Sequence, residues 1–182
     1  MKPAFASSLF CLVLVGAAVG QPATEIKLAY PVVPDVGGVA PLPSTAEQPR
    51  KGAKVVFDIT ADAKPGDLNK GLERAARLLN LYGASGLKGT DVKVALVLHG
   101  EATKAALNDT TYSAKYGHGS NPNLSVIRNL QKAGVEVYVC GQALNYKGFK
   151  QSDAAKEVSV AAAALTVVVN RQSDGFGYVP VP

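Results

Sequence analysis

The sequence predicts an α/β fold, a single domain with a mostly parallel sheet flanked by helices in a flavodoxin-like, three-layer architecture. Three observations carry this. From Lys54 onward, β-branched apolar runs alternate with segments whose apolar residues recur at helical spacing. The run "DVKVALVLHG" is almost continuously apolar, as expected of a strand buried on both faces of a parallel sheet. The helical segments also close on glycines, at Gly83 and Gly86 and again at Gly134.

Taken in order, "KVVFDIT" is β-branched and aromatic and reads as the first strand. "DLNKGLERAARLLNLYGASG" sets Leu68, Leu72, Ala75, Ala76, Leu79 and Tyr82 on one helical face, with Asp67 as the expected N-cap. "DVKVALVLHG" is the second strand, and "NPNLSVIRNLQKAG" turns Leu124, Val126, Ile127 and Leu130 inward as the next helix. "VEVYVCG" is the third strand and "EVSVAA" the fourth. "ALTVVVNRQSDG" reads as a helix despite its valines, and "YVPV" as a short last strand.

The N-terminus divides from this domain by composition. Residues 1–20 carry one charge at Lys2, an apolar run and small residues at Ala18 and Gly20, the layout of a secretory signal peptide cleaved near Gln21. The run falls short of the roughly 20 residues of a spanning helix, so no stable membrane insertion is expected after cleavage, and the location is periplasmic or secreted. Residues 21–50 hold six prolines and no helical period, and read as a Pro-rich arm or linker laid over the domain, outside its core. An arm docked on a neighbouring subunit is the alternative. Residues 51–182 form the domain, and the chain after the signal peptide, about 160 residues, is long enough for one proper core.

Composition excludes several functions. The formal charge of +5 falls by one when Lys2 leaves, and the remaining basic residues are scattered without interleaved aromatics, so nucleic acid is not an expected partner. No glycine loop is followed by Gly-Lys-Ser/Thr and no strand runs into a G-x-G-x-x-G turn, which argues against nucleotide binding by those routes. Cys140, His99 and His118 are the only soft ligands left and have no paired spacing, so neither a metal nor another cofactor is expected.

Ligands of open parallel sheets bind beyond the carboxyl ends of the strands. The second strand ends in His99 and Gly100, and the third in Cys140, Gly141 and Gln142. If these strands are neighbours, a spacing of roughly 4.8 Å brings His99 and Cys140 to one rim. A cysteine after a run of valines also fits a small buried hydrophobe, and His99 a hydrogen-bonded strand end. An unpaired thiol in an oxidising compartment is, however, a liability that calls for a reason.

The segments "KVVFDIT", "ARLLNLYGASG", "VKVALVLHGEAT", "NPNLSVIRNLQKAGVEVYVCGQAL" and "GFGYVP", in this order, resemble the DsrE/DsrF-like family, and specifically its exported branch. The resemblance spans Lys54 to Pro182. It implies an α/β fold, assembly as a homo-oligomeric trimer or hexamer, and sulfur carried as a persulfide on a cysteine. The implied partners are a sulfur donor or acceptor protein, or a small sulfur compound. Such carriage needs a thiolate, donors or positive potential to hold it, and access. Cys140 is then the candidate carrier, with backbone donors from the turn at Gly141 and Gln142, and His99 the source of a proton or charge. Gly100, Asn108, Tyr112 and Asn121 are candidates for the mouth of the site, although Asn108, Tyr112 and Asn121 each suit a turn, cap or packing role better. Two other readings stand beside sulfur relay: a non-catalytic ligand-binding or oligomeric structural module, and a cysteine hydrolase, for which no residue that orients His99 is evident.

Overall fold

The computed structural model describes residues 27–182. The expected signal peptide, the expected cleavage point near Gln21 and Cys11 lie outside the described residues. The elements run β1 (Lys54–Ile59), α1 (Lys70–Ala84), β2 (Lys93–Leu98), α2 (Asp109–Tyr116), α3 (Asn123–Lys132), β3 (Glu136–Cys140), α4 (Gly141–Tyr146), β4 (Ser159–Ala161), α5 (Ala164–Ser173) and β5 (Gly177–Val181). The five strands form one sheet in the order β4-β3-β2-β1-β5, and every pairing is parallel. No helix among the described residues is long and apolar enough to cross a membrane.

The register follows from burial. β2 is central, and its Ala95, Leu96, Val97 and Leu98 are all fully buried, so both faces of the sheet are covered here. One face carries Phe57, Ile59, Leu96, Leu98, Val137 and Val139 and packs against α1 and α3, through residues such as Leu72, Leu79, Ile127 and Leu130. The other carries Val56, Ala95, Val97 and Cys140 under α5, with Ala164, Val167 and Phe176 closing a smaller core. The three layers are therefore unequal. The thinly covered α5 face is the one on which polar side chains reach the carboxyl rim.

Helix α1 starts two residues later than its expected cap. Asn69, not Asp67, is the N-cap: its Oδ1 accepts from the Gly71 amide at 2.8 Å, its Nδ2 donates to the Ala61 carbonyl, and its own amide donates to Asn123 Oδ1. Asp67 closes the preceding turn, its amide bonded to the Lys64 carbonyl. Two helices go beyond the sequence reading. α2, "DTTYSAKY", has little apolar periodicity and is defined by its ends, an Asn108 cap and a left-handed Gly117. α4 begins on a glycine, which in the sequence reads only as a strand end.

The proline-rich arm docks on its own chain, on α1. An Ala29–Val39 bridge closes it into a loop. The buried carboxamide of Asn80 then accepts from the amides of Val32 and Val33 and donates to the carbonyls of Val33, Val36 and Gly37, at 2.8–3.2 Å. The arm also contributes to the core, because this clamp drives Val33 to complete burial. Gly37 has φ of +66°, and a Cβ there would stand 2.4 Å from the Arg77 amide nitrogen, so only glycine lets the arm lie this close to the helix.

Candidate functional site

Two polar features meet at the carboxyl rim of the α5 face. The first is built from β1, β2 and β5. Asp58, next to last in β1, pairs in register with Val97, and His99 follows two residues further along the same face of β2. The His99 amide donates to the Ile59 carbonyl, which extends the β1–β2 ladder one step and holds the histidine backbone in strand geometry. Its Nε2 lies 2.6 Å from Asp58 Oδ1. From the opposite side of β1, the Tyr178 hydroxyl donates to Asp58 Oδ2 at 2.7 Å. The carboxylate is thus held by a donor on each oxygen, in a pair of side chains that are 27% (His99) and 19% (Asp58) exposed. That carboxylate pushes the Tyr178 phenol above its ordinary value, and desolvation acts in the same direction.

The second feature is Cys140. The last paired positions of β2 and β3 are Leu98 and Val139, so His99 and Cys140 occupy the next step on adjacent strands and face the same side. Cys140 is the N-cap of α4, and its sulfur accepts from the Ala143 amide at 3.4 Å. It is a free thiol, packed with Val97, Ala164 and Val167, and 6% exposed. The two strand ends come together as expected, but the two side chains are not hydrogen-bonded. The imidazole engages β1, on the far side of β2 from β3, while the thiol faces the first turn of α4.

The remaining candidates divide between rim and scaffold. Gly141 and Gln142 line a groove of about 430 Å³ between α4 and β4, together with Leu144, Phe149 and Val160. Gly141 is required by a close approach from its own chain, since a Cβ there would lie 2.8 Å from the Ala161 carbonyl oxygen. Gly100, with φ of +54°, starts the 3-10 turn that leads away from His99. Three candidates are corrected. Tyr112 is fully buried and accepts a hydrogen bond from the Gly66 amide, so it lines no mouth. Asn121 is buried with its Nδ2 committed to the Ala105 and Leu107 carbonyls. Asn108 caps α2 through Thr111 and donates to the Ser152 carbonyl. All three tie down the segment between β2 and α3.

Sequence reasoning missed Asp58 and Tyr178. Asp58 did leave a signal, because a carboxylate inside an otherwise apolar parallel strand requires a partner when the strand is buried. Tyr178 left none, since its relevance depends on β5 lying beside β1. Further along the rim, Lys147 pairs with Glu101 at 2.7 Å, and Lys104 pairs with Asp62 at 2.6 Å. The hydrogen bond from Lys104 holds the Asp62 carboxyl below its usual range. Among the described residues, no group of three His, Cys, Asp or Glu side chains comes together as a metal site would require.

A family model, that of the DsrE/DsrF-like family, matches residues 54–180. Among solved structures, a protein of unknown function from Methanobacterium thermoautotrophicum, MTH1491, is similar at 21% identity and a TM-score of 0.51, over 70% of this chain and 98% of that one. The ychN protein from E. coli is similar at 18% identity and a TM-score of 0.45, over the same shares of the two chains. At such identity the likeness to MTH1491 is one of fold. No curated protein sequence matches the chain.

Proposed function

Because the chain belongs to the DsrE/DsrF-like family, we propose that it is a sulfur-relay protein that accepts a sulfane sulfur on Cys140 and passes it to a second thiol. The observation that carries this reading is the cap of α4. A helix N-cap favours serine, asparagine or aspartate, whose oxygens accept well from the first-turn amides, and sulfur is a weak acceptor. At this rim position a cysteine is a poorer cap than serine, asparagine or aspartate would be, as expected where the thiol itself is needed. The Ala143 amide is a donor for the charge of a thiolate.

The transfer conserves oxidation state overall. The Cys140 thiolate attacks the outer sulfur of a persulfide R–S–SH, a new S–S bond forms, and the donor's S–S bond breaks with its electron pair leaving on R–S⁻. The proton given up by Cys140 returns to that leaving thiolate. Discharge to an acceptor thiol is the same step in reverse. The burial of Cys140 favours a second reading, a ligand-binding module in which the cysteine only fills space. A cysteine hydrolase is less well supported, because His99 turns to Asp58 and makes no hydrogen bond to Cys140.

The test is intact mass spectrometry of the folded protein after exposure to inorganic polysulfide. One added sulfur, about 32 Da, located at Cys140 and removed by an acceptor thiol, is the expected result. No addition under native conditions would leave the binding-module reading.

We also propose that the chain is exported and that copies associate, as a trimer or hexamer, through α5. Leu165 and Val169 are 71% and 51% exposed there, an apolar surface that a partner would cover. Leu165→Glu is expected to give a monomer by light scattering while the wild type scatters as an oligomer. A wild-type monomer at micromolar concentration would contradict this.

A further inference from the structure

We propose that Asp58, backed by Tyr178, is a positioning residue that holds His99 with Nε2 as donor and leaves Nδ1 as the proton-accepting nitrogen of the rim. The tautomer follows from the partners. An ionised carboxylate only accepts, so the contact between Nε2 and Asp58 Oδ1 places the ring proton on Nε2. Tyr178 donates to the other oxygen, so the carboxylate cannot swing away without losing that bond as well. Nδ1 has no protein partner among the described residues, and no buried side-chain nitrogen or oxygen there lacks one, so Nδ1 opens to solvent. The arrangement is the base and orienting carboxylate of a catalytic triad, with β1, β2 and β5 supplying the rigid frame.

The inference rests on the sulfur-relay reading for the proton that His99 handles. During transfer, one proton leaves Cys140 and one reaches the departing thiolate, and His99 stands at the next step of the adjacent strand. Its Nδ1, which makes no hydrogen bond to Cys140, takes the first proton through bridging water, and its imidazolium returns the second by the same route. Asp58 stabilises that imidazolium and never touches the sulfur.

The experiment follows the rate of sulfur loading from inorganic polysulfide at neutral pH in the wild type, Asp58→Asn, Asp58→Ala, His99→Ala and the double variant Asp58→Ala/His99→Ala. It is paired with nitrogen-15 NMR of the His99 ring. All variants should reach the same final load of one sulfur. Asp58→Ala and His99→Ala should each be about a hundredfold slower, the scale of general acid–base assistance. The double variant should be no slower than His99→Ala, because Asp58 acts only through the imidazole. Neutral wild-type His99 should carry its proton on Nε2. Additive losses in the double variant, or a proton on Nδ1, would overturn the inference. Asp58→Asn keeps the side-chain shape, so wild-type rates in a folded Asp58→Asn protein would overturn it too. If the wild type takes up no sulfur, the relay reading fails, while the tautomer still reports on what Asp58 does to His99.

Discussion

Asn80→Ala is expected to lower the unfolding free energy by about 3 kcal/mol, estimated from the roughly 1–3 kcal/mol cost of each buried polar group left without a partner. The side chain is fully buried and makes five hydrogen bonds to the arm, two accepted and three donated. Alanine would orphan two amides and three carbonyls together. The cost stays below the sum of five such groups because Val32 and Val36 are only partly buried and their backbone can turn to water. The arm would then come off α1, since Asp35 at φ of +61° and Gly37 at +66° hold conformations that the clamp stabilises. Urea unfolding measures the first effect and limited proteolysis within residues 27–50 the second. Gly37→Ala should release the arm in the same way, because its new Cβ meets the backbone of α1 rather than a movable side chain. An Asn80→Ala protein within about 0.5 kcal/mol of wild type, the ordinary range of surface substitutions, would show that the clamp carries no weight.

Cys140→Ser is expected to fold normally and to carry no sulfur. Serine is close in size, and as an N-cap it offers the Ala143 amide a better acceptor than sulfur does, so the change in stability should be within about 1 kcal/mol. The functional loss is complete, because a hydroxyl forms no persulfide. Thermal unfolding and intact mass after polysulfide exposure separate the two quantities. A variant that loses stability while the wild type takes up no sulfur would assign Cys140 to packing among Val97, Ala164 and Val167.

The fold was legible wherever burial is repeated along the chain. β2 announces itself because both of its faces are covered, and α1 and α3 because one stripe of each faces the sheet. α2 and α4 were not legible. They are held by Asn108 and Cys140 at their caps rather than by an apolar stripe, and a glycine at the start of α4 resembles a stop. His99 and Cys140 could be placed at one rim from strand ends alone, because parallel neighbours carry their carboxyl ends to the same edge. Their side-chain directions could not, since the imidazole's depends on Asp58, which lies 41 residues before His99 and meets it only across the sheet, and the thiol's on the first turn of α4. The rim candidacy of Tyr112 and Asn121 falls for a like reason, and each takes the packing role that its residue type suited better. Nearness in sequence to the second strand suggested the rim, whereas the chain there turns inward and spends its polar groups on the backbone.

The proposed sulfur relay requires Cys140, with 6% of its surface exposed, to be a working thiol and not a core residue. The most direct test is its alkylation by iodoacetamide in the native protein, compared with the rate of global unfolding extrapolated to water. Labelling is expected to be faster than global unfolding and insensitive to low urea, because access requires only a local opening at the start of α4. Labelling that matches the unfolding rate and rises with urea as unfolding does would contradict it.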